Sequence, residues 1–309
     1  WPASQGTALR NARLARALVE AGAVVDLLAF GDGSFEDRPG DDRGLFGAVH
    51  VVARPARTGL RRLVDFAVGL PDLATRLRSR AFETAFESLV RSGEYDAIHL
   101  EGFEVAHVAL GPDALRAEAW GRAPWSGSGR RTPVIVFDDH NAECELQRSA
   151  AVVDWQVPSR WARAVYSSMQ ARRLRRREAL YAAAADVCVC VSNEDAAVLR
   201  DIVPGLVPVV VPNGIDVASF AAPSPSLTPV VVFAGKLDYR PNVDAVSWFV
   251  NEIFPAVRVR VPGVRVVLAG RDPSPAVRAL ASPDVEVTGY LSEADMRAQL
   301  GAAWVSVVP

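Results

Sequence analysis

From one end of the chain to the other, short and almost uninterrupted apolar runs alternate with longer stretches of helical periodicity. AVVDLLAF (23–30), GAVHVVA (47–53), YDAIHL (95–100), PVIVFD (133–138), DVCVCVS (186–192) and VPVVVP (207–212) have the length and β-branched content of strands covered on both faces. Between most of them, segments 7–21, 59–91 with a break at Pro71, 141–151 and 159–184 carry apolar residues at helical spacing. Gly22 closes the first helix, and Ser192-Asn193-Glu194-Asp195 reads as a capping box that opens another. Strands that alternate with helices in this way must run parallel, because each helix carries the chain back across the sheet.

The pattern is interrupted once. Ala221-Ala222-Pro223-Ser224-Pro225-Ser226 is a small-residue, proline-rich linker. Beyond it the alternation restarts with strand 229–234, helix 242–254, strands 264–270 and 285–290, helix 293–303 and strand 304–309. In the first of these helices Val243, Val246, Val250 and Ile253 form one stripe. The expectation is an α/β protein of two Rossmann-like lobes, residues 1–220 and 221–309. A parallel βα fold ordinarily opens on a strand and covers its last one with a helix, so both ends read as cut. The first lobe lacks an opening strand, and the second is incomplete after WVSVVP.

A chain of 309 residues, half of them apolar, can bury two cores. Its net charge of −2 gives no reason to expect nucleic acid as a partner. It has no run of about 18 uncharged apolar residues for a membrane-spanning helix, and no signal peptide is visible. Cys188 and Cys190 alternate within one apolar strand and read as packing residues; with Cys144 they point to a reducing, cytoplasmic setting.

In parallel sheets ligands sit at the carboxyl ends of the strands. His140, directly after strand 133–138, reads either as a cleft residue or as a histidine bonded to a neighbouring loop. Asn141 can cap the next helix, whose N-terminus would favour a phosphate. A metal site at Asp138, Asp139 and His140 is the weaker reading, since adjacent carboxylates on an extended chain point to opposite sides. Gly235 and Lys236 leave the first strand of the second lobe beside a helix N-terminus, a setting suited to a diphosphate leaving group, or else Lys236 is a solvated lysine. Arg240, beside a proline, is a second cation or a turn residue. Asn213-Gly214 favours a turn with positive φ. Gly6, ahead of the first helix, lets backbone amides approach a phosphate or sugar. No G-x-G-x-x-G is present, and Gly31-Asp32-Gly33 lacks the third glycine and helix, against a nicotinamide or flavin enzyme. The arginine-rich run 172–177 reads as a solvated, paired face. Run 57–62, with Leu60, Leu63, Val64 and Phe66 nearby, reads either as such a face or as a contact with the inner face of an anionic membrane.

Asp139-His140-Asn141-Ala142-Glu143, Val191-Ser192-Asn193-Glu194-Asp195 and Pro212-Asn213-Gly214-Ile215-Asp216 follow one another in the order found in GT-B glycosyltransferases of group 1, or family 4. Phe233-Ala234-Gly235-Lys236-Leu237-Asp238-Tyr239-Arg240-Pro241-Asn242, Leu268-Ala269-Gly270-Arg271 and Val287-Thr288-Gly289-Tyr290-Leu291 continue the series. The chain resembles that family over nearly its whole length, most of all a bacterial subgroup met in exopolysaccharide clusters. The resemblance implies a hexosyltransferase moving a sugar, with retention, from a nucleotide diphosphate sugar held between the lobes. The acceptor would be a glycan or lipid-linked molecule, and no metal or other cofactor would be essential. It implies that His140 touches the donor sugar or supports charge at its anomeric carbon, and that Lys236 is the first phosphate-binding cation. Gly6 would approach the donor from the first lobe, with Arg271, Gly289, Tyr290 and Leu291 around the base and ribose. Gly235, Gly270, Asn213 and Gly214 complete the donor-binding set.

The sequence departs from the family in two ways. Many relatives carry a second lysine shortly after the first cation. Here Asn242 is nearest, which leaves Arg240 or a residue outside the sequence to stand in. The paired glutamates that hold the donor's hydroxyls in relatives would lie beyond Pro309, which implies weak or absent donor binding by residues 1–309 alone. Two other classes suit the same architecture: a nucleotide-sugar epimerase, for which no convincing set of cleft acids and bases is found, and a non-enzymatic two-lobed binding protein.

Overall fold

Valine-rich runs with no polar face bury both sides, which a parallel sheet flanked by helices allows. In the computed structural model, which describes residues 6–31, 42–92, 95–111, 133–215, 217 and 225–309, these runs form three parallel sheets. The chain divides into two units, Trp1–Gly214 and Ile215–Pro309. Both have the Rossmann-like α/β character expected. Residues 221–224 of the expected linker, and Asp32 and Gly33, lie outside the described residues.

The first unit begins with α1 (Gly6–Glu20), β1 (Leu27–Gly31) and β2 (Val49–Ala53), the two strands forming a separate parallel pair. Helices α2 (Gly59–Ala67), α3 (Asp72–Thr75) and α4 (Arg80–Ser92) follow. Then come β3 (Ala97–Glu101), α5 (His107–Leu110), β4 (Val134–Asp139), α6 (Glu143–Trp155), α7 (Trp161–Ala184), β5 (Val187–Cys190), α8 (Asn193–Ile202) and β6 (Val209–Val210). The second sheet runs β3–β4–β5–β6. Its register sets Glu101 against Asp138 and Asp139 against Cys190, so their carboxyl ends share one edge. β6 is far shorter than the apolar run 207–212 because Pro208 and Pro212 bracket it and supply no N–H to the ladder.

The core of this unit joins Phe82 and Phe86 of α4 to Leu100, Ile135, Phe137, Leu174 and Leu199. At its centre Tyr181 is 1% exposed, with its ring 5.2 Å from Phe103 and 6.0 Å from Phe137. Burial pushes its phenol up to about 12. Phe30 of β1 stacks on Phe82 at 4.3 Å, which fastens the two-stranded sheet to the same core. Cys144, Cys188 and Cys190 are all buried and free, as their alternation implied.

The second unit contains β7 (Val230–Ala234), α9 (Arg240–Trp248), α10 (Phe254–Arg260), β8 (Arg265–Ala269), α11 (Pro275–Arg278), β9 (Val285–Gly289), α12 (Glu293–Ala302) and β10 (Val305–Ser306), in the sheet order β10–β7–β8–β9. Alternate strand residues face opposite cores. Val231, Phe233, Val266 and Leu268 pack on Val246, Phe249 and Phe254, with Val243, Val250 and Ile253 alongside as their stripe predicted. Val232, Val267 and Ala269 meet Leu291, Met296 and Leu300. The expected helix 242–254 is one continuous run from Arg240 to Arg260, interrupted by a π-helical turn at Phe249–Ile253. Pro255, which has no N–H to donate to the preceding turn, accounts for that widening.

Candidate functional site

His140 directly follows β4, and its ring is 13% exposed at the carboxyl edge of the sheet. Its Nε2 lies 2.8 Å from Glu101 Oε2, at the end of the neighbouring strand β3. The other Glu101 oxygen is 3.7 Å from His99 Nε2, and that nitrogen is also 3.7 Å from Asp138 Oδ2. At this distance the His99 contacts are electrostatic rather than hydrogen bonds. Burial disfavours a charge on His99, but Asp138 and Glu101 outweigh it and raise its pKa.

Arg10, 7% exposed, reaches from α1 to fully buried Asp138 and grips it with Nη2 2.9 Å and Nε 3.2 Å from Oδ2. Burial alone would raise the Asp138 pKa; nearby His99, His140 and Arg10 more than offset it and hold the carboxyl below its usual range. The same guanidinium donates to the Val211 carbonyl at 2.8 Å and to Asn213 Oδ1 at 3.1 Å, while Arg13 donates to the Gly214 carbonyl. One chain of polar contacts thus links His140, through Glu101, His99, Asp138 and Arg10, to Asn213 beyond β6. Asn213 and Gly214 do not form the expected positive-φ turn. The two arginines of α1 hold the segment by a side chain and a carbonyl instead. Gly6 is the first residue of α1, inside the helix rather than in a loop before it.

His99, Glu101 and Asp138 bring ligand atoms within 4.8 Å of one another, the one candidate metal cluster among the described residues. It differs from the Asp138, Asp139 and His140 set weighed from sequence. The Arg10 guanidinium already supplies a permanent cation to it.

Asp139 points the other way, as alternation along a strand requires. It is 1% exposed, and neither of its oxygens has a hydrogen-bond partner among the described residues. Burial, reinforced by the charges of Glu178, Glu143, Asp195 and Asp138, raises its pKa well above the usual range. The start of α6 corrects the sequence reading. Its N-cap is Ala142, not Asn141, and no side chain of that residue caps it. Instead Glu178 of α7 accepts from the Glu143 and Cys144 amides, the latter at 3.1 Å, and Asp195 of α8 accepts from the Ala142 amide at 2.9 Å. Protein carboxylates therefore fill the place foreseen for a phosphate. Ser192 caps α8 by accepting from the Asp195 amide at 3.1 Å, as expected.

In the second unit the predicted residues converge on the ends of β7 and β8. A Cβ on Gly270 would lie 1.7 Å from the Gly235 carbonyl oxygen, so the two strand ends approach as closely as they do only because position 270 is glycine. The Gly235 amide donates to the Ala269 carbonyl at 3.0 Å, and the Leu237 amide to the Arg271 carbonyl at 3.0 Å. Asn242 Nδ2 donates to the Lys236 carbonyl at 2.9 Å, so Asn242 fixes the backbone that carries the lysine. The Lys236 side chain is 48% exposed, with Nζ 3.2 Å from Asp238. Arg240 is the first residue of α9 and lies 3.8 Å from Asp244. Arg271 pairs with Asp272 at 3.8 Å, and Asp272 has a φ of 55°, in the left-handed region. On the neighbouring strand Gly289 has a φ of 73°, Tyr290 is exposed, and Leu291 packs inward. His140, Asn213, Gly214 and Gly6 belong to one unit; Lys236, Gly235, Arg240, Asn242, Gly270, Arg271, Gly289, Tyr290 and Leu291 belong to the other.

Sequence reasoning missed Arg10, Glu101, Glu178 and the second role of Asp195. Of these only Glu101, an acid directly after an apolar strand, left a local signal. The basic run 57–62 also resolves into two parts. Arg57 is an internal bridge, paired with Asp65 at 3.2 Å and Asp72 at 2.9 Å, whereas Arg62 is 60% exposed. Run 172–177 is a paired face only in part: Arg175 meets Asp201, while Arg173 lies 4.7 Å over the Phe66 ring. Among the described residues no helix is long and apolar enough to cross a membrane.

Comparison with curated proteins returned no match. Residues 228–309 match the family described as Glycosyl transferases group 1. Residues 5–219, well over half of the chain, match the one described as Glycosyltransferase Family 4. With strand-end sites in two parallel α/β units and both matches falling on glycosyltransferase families, the chain belongs to Glycosyltransferase Family 4.

Proposed function

We propose that the protein transfers a hexose, with retention, from a nucleotide diphosphate sugar to a glycan or lipid-linked acceptor. The observation that carries this reading is the loop pair at the ends of β7 and β8, where Gly270 admits the Gly235 carbonyl and Asn242 pins the backbone of Lys236. A half-exposed lysine on a backbone fixed by two strands suits a diphosphate. Its pairing with Asp238 is a surface contact that a doubly charged ligand can displace. As the sugar–phosphate bond breaks, negative charge grows on the leaving oxygens, and the lysine stabilises that state more than the ground state. Arg271, Gly289, Tyr290 and Leu291 then serve the base and ribose, and His140 serves the transferring sugar.

Steady-state kinetics over a panel of nucleotide diphosphate sugars tests this. Lys236→Ala should cost about 2–4 kcal/mol of barrier, chiefly in kcat, and Lys236→Arg should keep part of the rate. Turnover of Lys236→Ala within about threefold of the parent would remove Lys236 from the reacting bond and leave Arg240 as the better candidate.

Lys236, Arg240 and the N-terminus of α9 offer the charge a diphosphate needs, so activity should survive a chelator. Complete loss, restored by magnesium or manganese, would overturn this. Transfer belongs on the cytoplasmic side. There α2, with exposed Leu60 and Val64, exposed Val68 just after it and the neighbouring Arg61 and Arg62, supports a peripheral contact with an anionic membrane that presents the acceptor.

A further inference from the structure

We propose that Glu101 is a positioning residue that holds His140 with its proton on Nε2, so that the Nδ1 lone pair, on the Gly102 side of the ring, takes a hydroxyl of the transferring sugar. This rests on the reading of His140 as the residue that meets that sugar.

The histidine sits 2.8 Å from a group that can only accept. Glu101 Oε2 faces His140 Nε2, and a carboxylate has no proton to offer a neutral imidazole. Nε2 must therefore be the donor, and Nδ1 is left bare. Carboxylates impose a tautomer and a ring orientation on histidine in the same way in catalytic triads and around metal-ligating histidines.

The bare side of the ring faces Gly102. Gly102 follows Glu101 with a φ of 90°, and its amide is fixed by a 2.9 Å bond to the Asp138 carbonyl. A Cβ at this position would lie 3.6 Å from both Nδ1 and Cε1 of His140. Gly102 is buried, and the same Cβ would stand 3.4 Å from Glu104 Oε2, so the glycine keeps a narrow gap beside Nδ1 that a side chain would fill. His140 is 13% exposed there, so a hydroxyl that meets Nδ1 does so in a largely dehydrated place, where one hydrogen bond counts for more.

Glu101 is itself held. Its other oxygen faces His99, and His99 faces Asp138, which Arg10 grips. Among the described groups facing Glu101 are two histidines, from β3 and the end of β4, and behind them a buried aspartate paired with an arginine of α1.

Two measurements separate this proposal from the reading it rests on. The first needs no activity. In the chain labelled with nitrogen-15 at its four histidines, with signals assigned by a His140→Gln variant, the neutral His140 ring should show a slowly exchanging, low-field proton on Nε2 and an unprotonated Nδ1. Glu101→Ala should abolish that proton signal. A neutral His140 protonated on Nδ1, or an Nε2 signal unchanged in Glu101→Ala, overturns the proposal whatever His140 does in catalysis.

The second is a double-mutant cycle on kcat. Glu101→Ala should reduce kcat by roughly 10- to 100-fold, the range seen when the partner of an oriented histidine is removed. Glu101→Gln, whose amide oxygen still accepts, should keep more of the rate. In a His140→Ala background Glu101→Ala should cost less than about threefold, since the residue it orients is gone. A loss as large in that background as in the parent means Glu101 acts otherwise and overturns the proposal. If His140→Ala itself leaves turnover within about threefold, the role given to His140 fails, and the nuclear magnetic resonance result still decides the tautomer.

Discussion

At the scale of single residues, Gly270 marks where two stretches of backbone must come close. Gly270 leaves no room for a methyl group, since its Cβ would stand 1.7 Å from a carbonyl oxygen. Gly270→Ala should therefore push the loops after β7 and β8 apart, costing about 1–3 kcal/mol of stability, as overpacking does. It should also weaken binding of a nucleoside diphosphate. Chemical denaturation and calorimetric titration measure the two; a variant with parental stability and affinity would show that the loops tolerate separation. Arg57 and Arg62 lie five positions apart yet do different things. Arg57→Ala breaks a bridge to Asp65, Asp72 and the Thr75 hydroxyl, whose side chains are mostly buried, and should lower the melting temperature. Replacing Arg61 and Arg62 by Ser should leave stability unchanged and reduce sedimentation with anionic vesicles. Unchanged sedimentation would remove the basis for a membrane contact at α2.

At the scale of elements, α6 starts in an unusual way, with its first amides held by carboxylates from α7 and α8. Burial pushes Glu178 from an ordinary 4.5 up to about 7, and Asp139 beside it moves in the same direction. Asp139 has no donors on its oxygens, so it is the member that keeps a proton, while Glu178, with two amides donating to it, is the one that gives it up. A carboxyl whose folded pKa lies above its unfolded one binds more protons when folded. Its contribution therefore falls as pH rises from about 4.5 to about 7. Thermal unfolding should show that decline, and Glu178→Gln, whose amide oxygen still accepts but which carries no titrating proton, should flatten it. A profile equally steep in Glu178→Gln would place the titration elsewhere. Glu178→Ala strands two buried amides and should cost about 1–3 kcal/mol for each at any pH.

At the scale of the whole molecule, two separate sets of buried side chains stand behind two sets of strand ends. The first core is aromatic, centred on Phe82, Phe86, Phe137 and Tyr181; the second is mostly valine and leucine over Phe249 and Phe254. Phe86→Ala should cost about 3–5 kcal/mol in the first unit, read as faster amide exchange in β3, β4 and β5. Parental exchange rates would mean that Phe86 is not part of that core.

Alternation, two lobes and most element positions could be read from the sequence because each depends on neighbours along the chain. A period of two or 3.6 residues, a capping serine at Ser192 or a proline either side of β6 is a local property. The same holds for Lys236 and His140, which stand at strand ends that the apolar runs announce. The partners of those residues were not legible. Glu101 is 39 positions from His140, Arg10 is 128 from Asp138, and Glu178 is 34 from Cys144. The register of parallel strands and the packing of helices on them bring these groups together, and neither leaves a mark in local periodicity. The sequence by itself determined where the strand ends fall and which polar residues stand at them. Only the tertiary structure decided which carboxylate faces His140, which ones fill the start of α6, and which arginine of a basic run is an internal bridge, because electrostatic contacts depend on distance in space and not along the chain.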